Sequence, residues 1–240
     1  MKTMSFNILA DRRTWNSRKD GIINKILEID PDIAGLQEAL ATQRVDLIDG
    51  LSDSYDLVEF NIPGNYDNPI LIRKDYFTIL DSGFVEAAEC NFIRYVTWLL
   101  LRENNSCNEF YFYNNHFCFQ PLSSREEQAI IQAETINQHQ MQSCSNDYVA
   151  IAVGDFNSNR NSSVMQYLLD QVPIEGIPNP VNLVDTWDVA NPNTAKPPTT
   201  DRGAAIDWIL TLSGADVTDA TVENSDGFSD HFPVTATFEF

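Results

Sequence analysis

The sequence contains few basic residues. Lysine and arginine total 15 against 35 aspartates and glutamates, so the formal net charge of the 240 residues is -20. A surface field of this sign repels polyanions, which disfavours non-specific binding of nucleic acid or of an anionic bilayer. Most of these acids are expected to serve solubility or adaptation to a salty milieu. Some of them are candidates to hold a cation.

Cysteine motifs are also missing. The four cysteines stand at irregular spacings and include no C-x-x-C pair, which argues against a zinc knuckle and against a redox motif. The sequence therefore predicts free, mostly buried thiols at Cys90, Cys107, Cys118 and Cys144.

Long apolar runs, internal repeats and low-complexity linkers are lacking as well. No apolar stretch reaches the roughly 18 residues that a membrane span requires, and no signal-like segment precedes the first strand pattern. We therefore expect a single domain over residues 1–240, without a membrane span and monomeric. A cytoplasmic location is expected, or a secreted one if a leader had been removed.

Apolar and aromatic residues are abundant enough for a large core: 43% of the chain is hydrophobic, with 14 Phe, 8 Tyr and 4 Trp. Alternating and continuous apolar runs predict a β-rich chain. Residues 55–119 are expected to form an antiparallel meander, and residues 173–198 a long loop with a short element near 183–187. Helices are predicted around 22–27 and 123–136, and the other strands at 3–9, 32–36, 148–154, 206–212, 215–222 and 233–240.

Polar side chains stand at the ends of several of these strands. Strand ends of like direction emerge on one rim of a sandwich, so the side chains could converge in one cleft. Oxygen ligands suit a hard cation, amides can bind phosphate oxygens, and a histidine beside a carboxylate can move protons. The candidates are Asn7, Glu38, His116, Asp155, Asn157, Asp207, Asp230 and His231.

Asp207 is the most unusual of these residues because it interrupts the strongly apolar run 204–209. A carboxylate in such surroundings requires a partner. His231 is the natural one, since the acid would orient the imidazole and stabilise its charged form.

Six short motifs resemble, in order and approximate spacing, those of the endonuclease/exonuclease/phosphatase superfamily. Arg125, which opens a helix between the third and fourth motifs, also fits the family pattern. The resemblance covers nearly the whole chain. The motifs are Ser5-Phe6-Asn7, Leu36-Gln37-Glu38, Asn114-Asn115-His116, Gly154-Asp155-Phe156-Asn157, Ile206-Asp207-Trp208-Ile209 and Ser229-Asp230-His231-Phe232-Pro233-Val234.

The resemblance implies an α/β fold in which a two-sheet β-sandwich is flanked by helices, in four layers. It also implies a Mg²⁺- or Mn²⁺-dependent site that hydrolyses phosphate esters by in-line attack of water. The metal would be held by Glu38, with Asn7 beside it and Asp230 at its edge.

The catalytic roles come from the same resemblance. Asp155 would orient or deprotonate the attacking water, and Asn157, with Asn7, would bind the phosphate. His231, paired with Asp207, would face the scissile phosphate. His116 would contact a phosphate oxygen or assist the leaving group.

One residue of the family pattern is missing. Many members carry a glutamate that steadies the histidine equivalent to His116, and here only Asp67 or Asn68 stands in that neighbourhood. An enzyme that acts on inositol phosphates would be expected to cluster basic residues near the cleft, and the few candidates here are more typical of solvated loops. These are Arg12, Arg13, Arg18, Lys19, Arg73, Lys74 and Arg94.

The sequence favours a phosphodiesterase, acting on nucleic acid or on a small diester. A phosphomonoesterase acting on a small metabolite or lipid head group is the alternative within the enzyme class. An inactive binding scaffold of the same fold is disfavoured because Glu38, Asp155 and His231 are all present.

Overall fold

The computed structural model describes residues 1–62, 68–143 and 149–239. They contain twelve strands and five helices, and β3 to β7 and β10 to β12 follow one another without an intervening helix. The strands are β1 Lys2–Asn7, β2 Ile33–Gln37, β3 Tyr55–Val58, β4 Ile70–Arg73, β5 Phe77–Glu89, β6 Ile93–Glu103, β7 Glu109–His116, β8 Val149–Asp155, β9 Leu183–Asp185, β10 Asp207–Leu212, β11 Asp216–Val222 and β12 Val234–Glu239. The helices are α1 Trp15–Ile29, α2 Ala41–Leu51, α3 Leu122–Gln142, α4 Ser163–Asp170 and α5 Thr186–Ala190.

The strands form two mixed six-stranded sheets. The first has the order β11-β12-β1-β2-β4-β3, and the second β5-β6-β7-β8-β10-β9. Each sheet contains one parallel pair, β1 with β2 and β7 with β8. The carboxyl ends of these four strands lie at the same rim of the sandwich, where Asn7 meets Asp155.

The alternation of β1 shows how the layers are filled. Met4 and Phe6 pack with Ile22 and Ile26 of α1, in the cluster between the first sheet and its helices. On the opposite face, Ser5 and Asn7 are buried between the sheets. Opposite faces of one strand therefore serve two different layers, as the period of two requires.

The layer between the two sheets is largely apolar. Ile33 and Val234 of the first sheet pack with Leu99, Phe112 and Val153 of the second. A third cluster packs α3 and α4 against the outer face of the second sheet. The four-layer α/β sandwich expected from the resemblance is confirmed.

The expected meander over residues 55–119 is divided between the two sheets. β3 and β4 pair with β2 in the first sheet, whereas β5, β6 and β7 form consecutive hairpins in the second. Alternation of apolar and polar residues predicts that a segment is a strand. It does not predict which sheet the strand joins, because the pairing depends on residues distant in sequence.

Helices α2 and α4 have no counterpart in the sequence-based expectations. The inward positions of α2 are Gln43, Leu47 and Leu51, so a polar residue interrupts its apolar stripe. α4 is only eight residues long, although Ser162 caps it by accepting a hydrogen bond from the N–H of Met165 at 3.2 Å. Short or interrupted stripes give a weak helical period.

The expectation of free thiols is wrong for two cysteines. Cys90 and Cys118 form a disulfide, while Cys107 is free and exposed. Cys144 lies outside the described residues. Spacing did not predict the bond because the partners are 28 residues apart and meet only when the β5–β6 hairpin folds against the segment after β7.

Among the described residues, no helix combines the length and the apolar character that crossing a bilayer requires.

Candidate active site

Six of the predicted side chains converge at the rim where the parallel strands end. Asn7 Nδ2 lies 3.2 Å from Glu38 Oε1 and 3.1 Å from Asp155 Oδ2. The Nε2 atoms of His116 and His231 lie 3.6 and 3.7 Å from that same Asp155 oxygen. The sixth, Asp207, is hydrogen-bonded to His231. Asp155 is therefore the centre of the group.

Glu38 and Asn7 are fixed by the backbone of the loop after β1. The N–H of Ala10 donates to Glu38 Oε2 at 2.7 Å, and the N–H of Leu9 donates to Asn7 Oδ1 at 3.0 Å. The Asn7 amide nitrogen therefore faces the two carboxylates. As a metal ligand, as predicted, Asn7 would have to present its oxygen instead.

Asp155 ends a strand whose backbone is unusually close to its neighbour. Gly154 has φ +155°, and a Cβ at this position would lie 2.3 Å from the carbonyl oxygen of Asn115, so a side chain is excluded. The next turn brings the N–H of Asn157 to Asp155 Oδ1 at 2.8 Å. Asn157 Nδ2 donates to the carbonyl of Phe117 at 2.9 Å, which leaves one amide hydrogen for a ligand.

Asp207 finds the partner that its apolar surroundings demand. Both of its carboxylate oxygens lie 3.0 Å from Nδ1 of His231. Thr199 Oγ1 donates to Asp207 Oδ2 at 2.6 Å and accepts from the Asp207 N–H at 3.1 Å. The imidazole is therefore oriented with Nδ1 toward Asp207 and Nε2 toward Asp155.

The electrostatics of the site separate its two histidines. Burial lowers the pKa of His231, but the carboxylates of Asp207, Asp155 and Asp230 outweigh it and raise the pKa to about 10. Burial lowers the pKa of His116 well below its ordinary value, and the charges of Arg94 and His231 lower it further. At neutral pH, His231 is a cation and His116 is neutral.

Asp155 titrates in the neutral range. Burial is the largest influence and raises the pKa of Asp155, and the nearby Asp207 carboxylate raises it further. The charge of His231 lowers it, and the resulting pKa is about 7. A carboxylate with a pKa near 7 has the basicity suited to accepting a proton from water.

Several carboxylates of the site could hold a divalent cation. Asp155, Asp207 and His231 each offer a ligand atom within 4.8 Å of the others. In this group, however, His231 Nδ1 is already hydrogen-bonded to Asp207. Two further carboxylates offer oxygens: Glu38, beside Asn7 and His116, and Asp230, whose buried Oδ1 accepts no hydrogen bond from the described residues. Carboxylate oxygens with spare lone pairs fit a hard cation such as Mg²⁺ or Mn²⁺.

Comparison with known proteins agrees with this geometry. A profile of the Endonuclease/Exonuclease/phosphatase family matches residues 4–231. The chain belongs to this family. It is therefore a member of a family of phosphoesterases, and the matched range includes every predicted site residue. No curated protein matches the chain by sequence.

Solved structures share the fold over the full length. An endonuclease/exonuclease/phosphatase from Bacteroides vulgatus has 24% identity and a TM-score of 0.83, covering 100% of this chain and 98% of its own. The Bacteroides thetaiotaomicron mannosyl-6-phosphatase Bt3783 has 21% identity and a TM-score of 0.80, with 100% of both chains covered. Truncated Caenorhabditis elegans TDP2 has 20% identity and a TM-score of 0.79, covering 99% and 96%.

The family's usual support for the first histidine is not found among the described residues. Asn68 is buried, but its Nδ2 donates to the carbonyl of Tyr95 at 3.0 Å and not to His116. Asp67 lies outside the described residues. Among the described carboxylates, those that lie within 4 Å of His116 Nε2 are Asp155, at 3.6 Å, and Glu38, at 3.9 Å.

Most of the basic residues that could have approached the cleft have structural partners. Lys19 pairs with Asp46, Arg73 with Asp30 and Asp32, and Lys74 with a backbone carbonyl. Arg94 lies over the ring of Phe92, at 4.2 Å from its centroid, and its charge lowers the pKa of His116. Arg12 and Arg13 are exposed on the loop before α1, where Arg13 pairs with Asp11.

Four residues support the site in ways that were not predicted, although Arg18 was among the basic residues considered for the cleft. Arg18 is buried and donates to the carbonyls of Ile8, Leu9 and Phe228, which ties the loop after β1 to the loop before His231. The others are Thr199 beneath Asp207, Ser229, which donates to the carbonyl of Asn7, and Gln43, which donates to the carbonyl of Leu9.

The signal for Ser229 was present in the motif that contains His231. By contrast, Arg18 lies on α1 among other charged residues, and Thr199 lies in the long loop. Neither position carries a local pattern that separates a support residue from a surface residue.

Proposed function

We propose that this protein is a divalent-metal-dependent phosphodiesterase that acts by in-line attack of water on phosphorus. The observation that carries the proposal is the arrangement of a charged histidine beside a basic carboxylate: His231 Nε2 lies 3.7 Å from Asp155 Oδ2, with Asp207 behind the ring. A cationic donor next to a proton acceptor suits a reaction in which water is deprotonated while negative charge develops on phosphate.

The metal is assigned to the Glu38 side of the site. Glu38 and the buried Oδ1 of Asp230 would supply oxygen ligands. Asn7 would join them through its amide oxygen only after the amide turns, because its nitrogen now faces Glu38. A bound Mg²⁺ or Mn²⁺ supplies Lewis acidity and offsets the charge that develops on the phosphoryl oxygens.

The remaining residues act on the substrate and on the water. Asp155, whose pKa is about 7, orients the attacking water and accepts its proton. Asn157 and His231 donate to the non-bridging phosphate oxygens. His116 is held neutral by burial, so it can donate one hydrogen bond without adding charge.

Charge favours a diester over a monoester. Among the described residues, the cationic side chains that interact with the site include His231, Arg94 and Arg18. A phosphodiester carries one negative charge, whereas a phosphomonoester carries close to two at neutral pH. The strongly acidic chain therefore binds the diester at a smaller electrostatic cost.

A phosphomonoesterase is the second candidate because one of the similar folds is a mannosyl-6-phosphatase. A small-molecule substrate is proposed in preference to a long nucleic acid because of the net charge of -20. An inactive scaffold is disfavoured because the charged and neutral histidines, Asp155 and Glu38 all converge at one rim.

The test is hydrolysis of a chromogenic phosphodiester, a chromogenic phosphomonoester and plasmid DNA, each with Mg²⁺, with Mn²⁺ and with chelator. Wild type is compared with His231→Ala and with Asp216→Asn, an exposed acid at the opposite rim that serves as the control. We expect metal-dependent turnover of the diester that is lost only in His231→Ala. Preference for the monoester would establish the second candidate, and equal rates in His231→Ala and wild type would refute the proposed centre.

A further inference from the structure

A cleft of about 510 Å³ adjoins the loop that carries His231. One wall is the Pro197–Gly203 segment, and the other is the end of β11 with the two residues that follow it. This volume lies in the range of small-molecule pockets. The mechanism described above uses none of the side chains that line the cleft.

The cleft is tied directly to the catalytic histidine through the backbone. Phe232, which immediately follows His231, lines it, and the N–H of Phe232 donates to the carbonyl of Thr199 at 2.7 Å. Thr200, on the opposite wall, forms a β-bridge with His231. A molecule in the cleft therefore lies beside the residue proposed to hold the phosphate.

The lining combines apolar surfaces with hydrogen-bond acceptors. Phe232, Pro198 and Val222 supply apolar surface, while Asp201, Glu223 and Asn224 supply carboxylate and amide groups. None of the described residues that line the cleft is a lysine or an arginine. Arg202 lies 3.9 Å from Asp201, but it does not line the cleft.

This lining is unfavourable for a second phosphate or for a nucleic-acid strand. The two carboxylates of the lining, Asp201 and Glu223, repel an anion, and no lysine or arginine among the described lining residues offsets them. A neutral group rich in hydroxyls fits better, since each hydroxyl can donate a strong hydrogen bond to a carboxylate. The C–H face of a ring can pack on Phe232 and Pro198, which stabilises it by burial of apolar surface.

We propose that this cleft binds the alcohol portion of the substrate, and that this portion is a neutral polyhydroxylated ring of the sugar or cyclitol type. The inference rests on the proposed phosphodiesterase function and narrows its substrate class. Asp201 and Glu223 accept hydroxyl hydrogens, Asn224 both donates and accepts, and Phe232 packs against the ring.

Equilibrium binding tests the cleft independently of catalysis. Neutral methyl glycosides and myo-inositol are titrated into the full-length protein, and binding is followed by ligand-observed NMR. We expect saturable binding that weakens roughly tenfold or more in Asp201→Asn and in Glu223→Gln, since each variant removes a charged hydrogen-bond acceptor. Asp53→Asn, which removes an exposed carboxylate at the opposite rim, is the matched control and should bind as wild type does.

Phe232→Ala tests the apolar wall and is read only after its fold is verified by circular dichroism. The two acid variants are conservative in shape, so the proposal stays testable if Phe232→Ala does not fold. No binding of any neutral polyol, or equal binding by wild type and both acid variants, overturns the proposal. Binding of an amino alcohol such as choline in place of the neutral polyols also overturns it.

A specificity ratio separates the two proposals. We expect kcat/KM for a glycosyl phosphodiester, divided by that for a simple aryl diester, to fall about tenfold in Asp201→Asn relative to Asp53→Asn. If the wild-type protein binds the polyols but hydrolyses no diester, the phosphodiesterase proposal is contradicted and the cleft assignment is retained. Diester turnover with an unchanged ratio would contradict the cleft and leave the phosphodiesterase standing.

Discussion

His116 and His231 approach the same oxygen of Asp155 from two sides, at 3.6 and 3.7 Å, yet their surroundings differ. Behind His231, Asp207 accepts from Nδ1. Burial lowers the pKa of this ring, but Asp207, with Asp155 and Asp230, outweighs it and the pKa is about 10. No carboxylate of the described residues is hydrogen-bonded to His116 Nδ1, and burial lowers the pKa of this ring. One site therefore contains one imidazolium and one neutral imidazole, set by partner and burial.

Because of this difference, the two histidines have different roles in the proposed reaction. The His231 side supplies fixed positive charge, which is useful where the charge of the phosphate increases. The His116 side supplies a neutral donor, whose contribution depends on geometry and not on charge. Variants that remove charge without removing shape should therefore act on the two sides unequally.

The largest effect is expected for Asp207→Asn. The substitution removes the carboxylate that raises the pKa of His231, so the ring loses its proton at a lower pH than in wild type. We expect kcat to fall by roughly 100- to 10,000-fold because this charge is lost. The raised pKa keeps His231 protonated up to about pH 10 in wild type. In the variant, the basic limb of the pH–rate profile should therefore move to lower pH. The measurement is kcat/KM as a function of pH.

Asp216→Asn is the control for this experiment because it changes the net charge equally at the far rim. If Asp207→Asn and Asp216→Asn gave the same profile, the charge of His231 would have no part in the reaction.

The second-largest effect is expected at His116. His116→Ala should lower kcat about 100-fold, because the transition state loses one hydrogen-bond donor. His116→Gln should restore part of this loss because the amide can donate in place of the neutral ring. His231→Gln should restore little relative to His231→Ala, since glutamine carries no charge. Steady-state kinetics of the four variants test the contrast, and equal rescue at both positions would refute it.

Local motifs made most of the site predictable. The sequence placed Asn7, Glu38, Asp155 and His231 at strand ends, and the structure brings them to one rim. The pairing of Asp207 with His231 followed from a carboxylate inside an apolar run and is confirmed. These inferences succeed because a strand end and a buried charge can each be recognised from a few neighbouring residues of the sequence.

The unpredicted parts depend on contacts between distant segments. Arg18 reaches Phe228 across 210 positions, and Thr199 reaches Asp207 from a loop without a periodic pattern. The division of residues 55–119 between two sheets and the Cys90–Cys118 bond have the same origin. The orientation of the Asn7 amide also could not be inferred, because it is set jointly by Glu38, Asp155 and a backbone N–H.

The third prediction separates metal binding from the histidines. Glu38→Gln should weaken the binding of Mg²⁺ or Mn²⁺ at least about tenfold, because it replaces a charged oxygen ligand by an amide. The fold should be preserved, since Glu38 accepts hydrogen bonds only from the N–H of Ala10 and from Asn7 Nδ2 among the described residues, and an amide oxygen can still accept from Ala10. Calorimetric titration of the metal measures the effect, with the exposed Glu134→Gln as control. Unchanged affinity in Glu38→Gln would place the metal elsewhere.

The smallest effect on catalysis is expected from the disulfide, which lies on the His116 side alone. Cys118 follows His116 by two residues, and Cys90 precedes β6, whose start carries Arg94. A cross-link that closes 28 residues stabilises the fold by about 3 kcal/mol, so Cys90→Ser should lower the melting temperature while kcat below the transition changes only a few-fold. Thermal unfolding with and without a dithiol reductant measures it.

Thiol titration of the denatured, unreduced protein provides the check on this last prediction. Four cysteines with one disulfide leave two reactive thiols, so four would show that the bond is absent. Such bonds are rare in cytosolic proteins, so the redox state of the isolated protein also bears on the expected cytoplasmic location. Cys107→Ser, at an exposed free thiol, is the matched control and should leave the melting temperature unchanged. If Cys90→Ser reduced activity as strongly as His116→Ala, the Cys90–Cys118 disulfide would be required to position the neutral His116. The difference between the His116 and His231 sides would then depend on the disulfide as well as on burial.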